Sequence, residues 1–204
     1  MQIEIVQTRE EHAEGAAALQ RACFPTLPDE DYFTAEHYRS HVRIFPEGQF
    51  VALAGKQVVA ACTSMRTGFD PPPTHYIPFI GYNWLTTHEP DGDWLYGIDM
   101  SVHPDFRRLG ISKRLYQERA ALARRLGIRG ELVAGLLPGY DSHRSMSIED
   151  YVAKVTAGEL SDPTLTPQLR NGLRFVRLLY GYVTDPRSDN TATLLIRENP
   201  DYQP

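Results

Sequence analysis

"SVHPDFRRLGISKRL", residues 101–115, changes character twice within one short stretch. Upstream, "WLYGIDMSV" (94–102) reads as a strand, which Pro104 stops because proline removes a backbone donor and fixes φ. Downstream, Ile111, Leu115, Leu122 and Leu126 fall on one narrow helical stripe, and Gly127 is placed to end that helix. The unit is therefore strand, tight turn and helix N-terminus, with Arg107, Gly110 and Ser112 in the pattern R-x-x-G-x-S. A helix N-terminus leaves backbone N–H groups unpaired and its dipole favours an anion. Glycine lets the backbone approach such an anion closely, so the turn fits a phosphate or pyrophosphate. Neither GxxxxGK[ST] nor GxGxxG is present.

Charge sharpens that reading. Across 204 residues the chain carries 21 Lys plus Arg against 26 Asp plus Glu, a formal −5. Yet residues 101–130 hold eight cations and two acids, a local +6 that leaves −11 for the remainder. A chain of that balance repels polyanions nearly everywhere, which argues against nucleic acid and for one small anionic ligand. No apolar run approaches the ~20 residues of a membrane span, and "MQIEIVQTREEH" lacks the basic flank and apolar stretch of a secretory signal. Cys23 and Cys62 lack CxxC spacing and read as buried, reduced thiols, so a cytoplasmic location is expected. The seven scattered histidines lead us to expect no metal.

Around this unit, "QIEIVQ" (2–7) alternates as a half-buried strand, and "REEHAEGAAALQRACF" (9–24) favours a helix. A second helix is expected over residues 29–45. "QFVALA" and "QVVAACTSMR" are strands joined at Gly55-Lys56. Residues 67–93 hold Pro71, Pro72, Pro73, Pro78 and Pro90 with several aromatics, the composition of a long loop serving as a lid or substrate wall. After the helix following Gly110 come a strand at 130–137, a helix opened by Ser147 and a short helix within 162–172. Strands at 173–183 and 191–198 close the chain. The order specifies a single α/β (α+β) domain over residues 1–204, with helices on a mixed sheet.

"MSVHPDFRRLGISKRLYQE" resembles the acetyl-CoA-binding signature of the GNAT superfamily of N-acetyltransferases, V-x-P-x-[YF]-R-x-x-G-[IV]-[GA]. Val102, Pro104, Phe106, Arg107, Gly110 and Ile111 match, while Ser112 stands where glycine or alanine is usual. "DGDWLYGIDMSVHPDFR", "AGLLPGY" and the closing strands look most like the GNAT domain often joined to a nitrilase-type carbon–nitrogen hydrolase, which is absent here. The resemblance implies a mostly antiparallel central sheet of about seven strands flanked by helices, splayed at its fourth strand. It also implies acetyl-CoA as co-substrate and transfer of acetyl to a primary amine of a small molecule. Arg107, Arg108, Leu109, Gly110, Ile111, Ser112 and Lys113 would hold the CoA pyrophosphate, and Met100, Ser101 and Val102 the pantetheine arm. Arg114 is placed to reach the 3′-phosphate or to stay solvated.

An attacking amine must lose a proton and the departing thiolate must gain one. Asp99, on the fourth strand, is the candidate base; the competing reading turns it to the other side of the sheet as a structural hydrogen-bonding group, and alternation without the register leaves both open. Many GNATs place an acidic tyrosine four residues before a "GF"; here Asn171-Gly172-Leu173 looks like that landmark and the position holds Gln168. Tyr140 in "LLPGY" is the candidate acid, followed by Tyr96 and Tyr180. The rival function is a CoA-binding regulatory module without turnover. A homodimer through the closing strands is compatible with the pattern.

Overall fold

Strands β1 (Ile3–Gln7), β2 (Gln49–Ala54), β3 (Gln57–Thr67), β4 (Trp94–Val102), β5 (Gly130–Gly135), β6 (Arg174–Leu179) and β7 (Ala192–Glu198) form one sheet. Their order is β1-β2-β3-β4-β5-β7-β6. This is a computed structural model, and it describes residues 2–25, 27, 29–68 and 75–203. Every described pairing is antiparallel except β4 with β5. That parallel pair runs only from Trp94↔Gly130 to Gly97↔Val133. Beyond Gly97 the two strands part, while β5 continues along β7 to Gly135↔Thr193.

Helices α1 (Ala13–Cys23), α2 (Ala35–Ile44) and the single turn α3 (Tyr76–Phe79) cover one face. Helices α4 (Ile111–Arg125), α5 (Ile148–Thr156) and α6 (Leu165–Arg170) cover the other. The predicted stripe of α4 does the packing: Ile111, Leu115 and Leu122 are buried against Ala60, Cys62 and Leu95. Burying such side chains contributes roughly 1.5–3 kcal/mol each. Gly127, at φ 62, ends this helix as expected. Among the described residues no helix is long and apolar enough to cross a membrane.

Several expected boundaries move: the first helix starts at Ala13 after a 3-10 turn, the strand expected at 130–137 ends at Gly135, and two further shifts have a local cause. The second helix begins at Ala35, not at residue 29, because Thr34 caps it: the Thr34 hydroxyl accepts from the His37 N–H and the His37 ring accepts from the Thr34 N–H. Asp29–Asp31 forms a separate 3-10 turn. The strand expected at 173–183 stops at Leu179, followed by Gly181 at φ 63. Of the 67–93 loop, residues 69–74 lie outside the described residues. From His75 onward it is fastened down: the Ser40 hydroxyl donates to the Trp84 carbonyl (2.9 Å) and His41 Nε2 donates to the Asn83 carbonyl (2.6 Å).

Candidate active site

The site begins with an irregularity in β4. Thr63 pairs with Asp99 and Ser64 with Gly97, so Ile98 is an unpaired bulge residue. Before the bulge, Tyr96 and Ile98 face α1, and Leu95 faces α4. After it the parity is reversed. Met100 and Val102 now pack on the α4 side, while Asp99 and Ser101 turn to α1. Asp99 Oδ2 accepts from Gln20 Nε2 (2.9 Å) and from the Ser101 hydroxyl (2.8 Å). The Tyr38 hydroxyl is buried close by, and the Tyr76 hydroxyl donates to the carbonyl of Ile98 at the bulge itself (3.2 Å).

These surroundings act on the carboxyl in opposite senses. Burial pushes the Asp99 pKa up to about 6; hydrogen bonds from Ser101, the Met100 N–H and Gln20, with a weaker pull from Arg119, hold it back. Asp99 nevertheless stays half-buried. A carboxylate titrating near neutrality with an accessible face is suited to take a proton. Cys23, expected to be buried, is half-buried beside this cluster, with its thiol raised to about 11 by burial and by Asp99.

Of the cofactor-binding expectations, Ser101 turns to Asp99 on the α1 side, and the others fall on the other side of the split. The His103 N–H bonds the Val59 carbonyl, so by strand alternation Met100 and Val102 aim their backbone groups away from β3, at the edge β5 has left. Arg107 Nε reaches back to the Val102 carbonyl (3.2 Å). Arg108 at φ 64 and Gly110 at φ 75 form the turn, and Gly110 is the N-cap of α4 without a side-chain cap. The N–H groups of Ile111, Ser112 and Lys113 therefore lack helical acceptors. Among the described residues a Cβ at Gly110 would meet nothing within 4 Å, so the turn is open beside these donors. This arrangement fits a pyrophosphate, with exposed Arg107, Arg108 and Lys113 around it and exposed Leu109 contributing backbone only. Arg114 is not available for a 3′-phosphate in this arrangement, since Nη1 donates to the Ile3 carbonyl (3.0 Å).

Other candidates separate from the cluster. The Tyr140 hydroxyl donates to the Met146 carbonyl (3.1 Å), with its ring against Tyr151. Tyr96 is buried and shares a 2.9 Å hydroxyl contact with Tyr182. Tyr180 is exposed and bonds Glu149. His103 is a turn residue whose Nδ1 accepts from the Asp105 N–H. His37 and His41 stand one helical turn apart, but the first holds Thr34 and the second Asn83. Among the described residues no group of three or more His, Cys, Asp or Glu could hold a metal ion. Gln20 and Tyr38 were not legible as site residues, since they come from α1 and α2 and no local pattern links them; Tyr76 belongs to the 67–93 stretch expected to wall the substrate, and its hydroxyl reaches the bulge beside Asp99.

Comparison with known proteins agrees with this geometry. The family model described as "Acetyltransferase (GNAT) family" matches residues 13–136. A Bacillus subtilis protein named "Probable hydrolase YhcX" is 37% identical over 192 residues, 91% of this chain. This chain spans only 36% of that relative's length. "Uncharacterized N-acetyltransferase YkwB", also from Bacillus subtilis, is 32% identical over 190 residues, covering 91% of this chain and 84% of that protein. The loading GNATL domain of CurA from Lyngbya majuscula superposes with a TM-score of 0.79 over 98% of both chains at 18% identity. With the split fourth strand, the Gly110 turn and these matches in hand, the chain belongs to the GNAT family of acetyltransferases.

Proposed function

We propose that this protein is an acetyl-CoA-dependent N-acetyltransferase that moves acetyl to a primary amine of a small molecule by direct attack. The observation that carries the reading is the placement of Asp99. It faces α1, across the parted strands from the Met100–Val102 edge and the Gly110 turn on the α4 side. In this reading the pyrophosphate lies on the N–H groups of residues 108–113 and the pantetheine arm runs along Met100, Ser101 and Val102. An amine on the α1 side then meets the thioester through the gap beyond Gly97 and Val133. Asp99 attracts a cationic amine, which gives its first proton to water, and accepts the proton the neutral amine releases on attack, with Gln20 and Ser101 orienting the carboxylate. No metal ion is assigned a role.

The test has two stages. Thermal shift at a 100-fold excess over a micromolar Kd should show about 2.7 kcal/mol of stabilisation by acetyl-CoA; a flat response sinks the cofactor assignment. A panel of small amines assayed by thiol release should then reveal turnover. Tight acetyl-CoA binding with no turnover across the panel would replace the enzyme reading by the non-catalytic module.

A further inference from the structure

Gln168, where a family tyrosine was expected, is 4% exposed and lies against the end of β5. A Cβ added to Gly135 would overlap its carboxamide. Gly135 is two residues beyond Val133, the last residue of β5 paired with β4. Among the described residues the Gln168 Oε1 is buried without a hydrogen-bond partner, an arrangement that is unfavourable unless a ligand or water supplies a donor. Its amide faces the hydroxyl of Tyr116, a residue of α4 in the cluster against which Met100 packs. The Arg119 guanidinium lies 5.2 Å from the Tyr116 ring centroid and directly beneath Gly97. Tyr116 thus stands under the point where β4 and β5 part, on the cofactor side.

We propose that Tyr116, oriented by Gln168, protonates the departing thiolate, and that Gln168 Oε1 accepts from an amide N–H of the pantetheine arm. This rests on the acetyl-transfer reading above. As the amine nitrogen bonds the acetyl carbon and the carbon–sulfur bond breaks, the amine proton passes to Asp99 and the phenolic proton to sulfur. Exchange with water then returns a proton to Tyr116 and removes one from Asp99. Burial holds the Tyr116 phenol protonated, and it is faced by Arg119 and Gln168, which favour its ionised form, and by Cys62 and Glu131, which oppose it. Tyr140 lacks this freedom because its hydroxyl already bonds Met146.

Tyr116→Phe, Tyr140→Phe and Gln168→Leu should be compared with the wild type on an acceptor that turns over. Tyr116→Phe should lower kcat tenfold or more and erase its alkaline fall, with KM for acetyl-CoA within about twofold. Tyr140→Phe should leave both unchanged, and Gln168→Leu should raise KM and lower kcat together. An unchanged kcat and pH profile in folded Tyr116→Phe overturns the proposal, as does transfer of these effects to Tyr140→Phe. Calorimetry needs no acceptor: Tyr116→Phe should weaken CoA binding about fivefold while sparing acetyl-CoA, because the free thiol hydrogen-bonds the hydroxyl and the thioester sulfur is a poor partner for it. Equal losses for both ligands, or none, overturn it. A wild type that acetylates no amine refutes the acetyl-transfer reading alone, and the two affinities still decide Tyr116.

Discussion

The guanidinium of Arg119 lies flat against the backbone of Gly97, filling the place a side chain would take. Arg119 is 1% exposed and cannot retreat. Its Nη2 reaches Glu131 Oε2 (3.3 Å), and Glu131 Oε1 accepts from Arg197 Nη2 (2.6 Å). The three residues tie α4 to β5 and β7, with Arg119 against Gly97, the last residue of β4 paired with β5. Gly97→Ala is therefore expected to cost about 1–3 kcal/mol through overpacking. Denaturant melts of Gly97→Ala, Arg119→Lys and the double variant check this. The double variant should be less destabilised than the sum of the two, because both changes act on one contact.

Asp99 makes a prediction with a definite sign. Its pKa, raised from 3.8 to about 6, means that the folded protein holds this proton more tightly than the unfolded chain. Stability therefore falls as pH rises from about 4 through 6 and levels off above, by on the order of 3 kcal/mol. Asp99→Asn should remove that slope in melts taken across this range. In the assay, the rise of kcat/KM through pH 6 should vanish in the same variant; a retained rise removes Asp99 as base.

His41 acts in the reverse sense. Burial lowers its pKa from 6.5 to about 4, and its Nε2 holds Asn83. The unfolded chain takes up this proton first, so stability is lost as pH falls from 6.5 towards 4, on the order of 3 kcal/mol in all. The window overlaps that of Asp99 with opposite slope, and the wild type should show a shallow net dependence. Asp99→Asn should steepen the loss on acidification, and His41→Gln should reverse it.

Gly110→Ala meets no atoms, so its cost comes from backbone strain at φ 75, roughly 1–2 kcal/mol. The new methyl would stand in the space above the first N–H groups of α4. A loss of at least tenfold in acetyl-CoA affinity is expected by calorimetry, with the fold retained by circular dichroism.

Much of the molecule was legible locally. The end of β4 at Val102, the Gly110 cap, the apolar stripe of α4 and the Ser147 cap of α5 each follow from residues within a few positions of one another. Local rules failed at α2, where the competing Thr34 cap shortened the helix. They failed again after Leu179, where the positive φ of Gly181 cut short an apolar run.

The sequence by itself determined the R-x-x-G-x-S turn and its helix, because capping, periodicity and charge are short-range properties. It could not determine which way Asp99 points. Side chains alternate with a period of two, so one unpaired residue, Ile98, reverses the facing of every residue after it, and that bulge exists only through the register of β4 against β3. Tertiary packing likewise decided that Gln168 from α6 and Tyr116 from α4 meet beneath the split. Their separation along the chain is closed by helices docking on one face of the sheet, which no local pattern encodes.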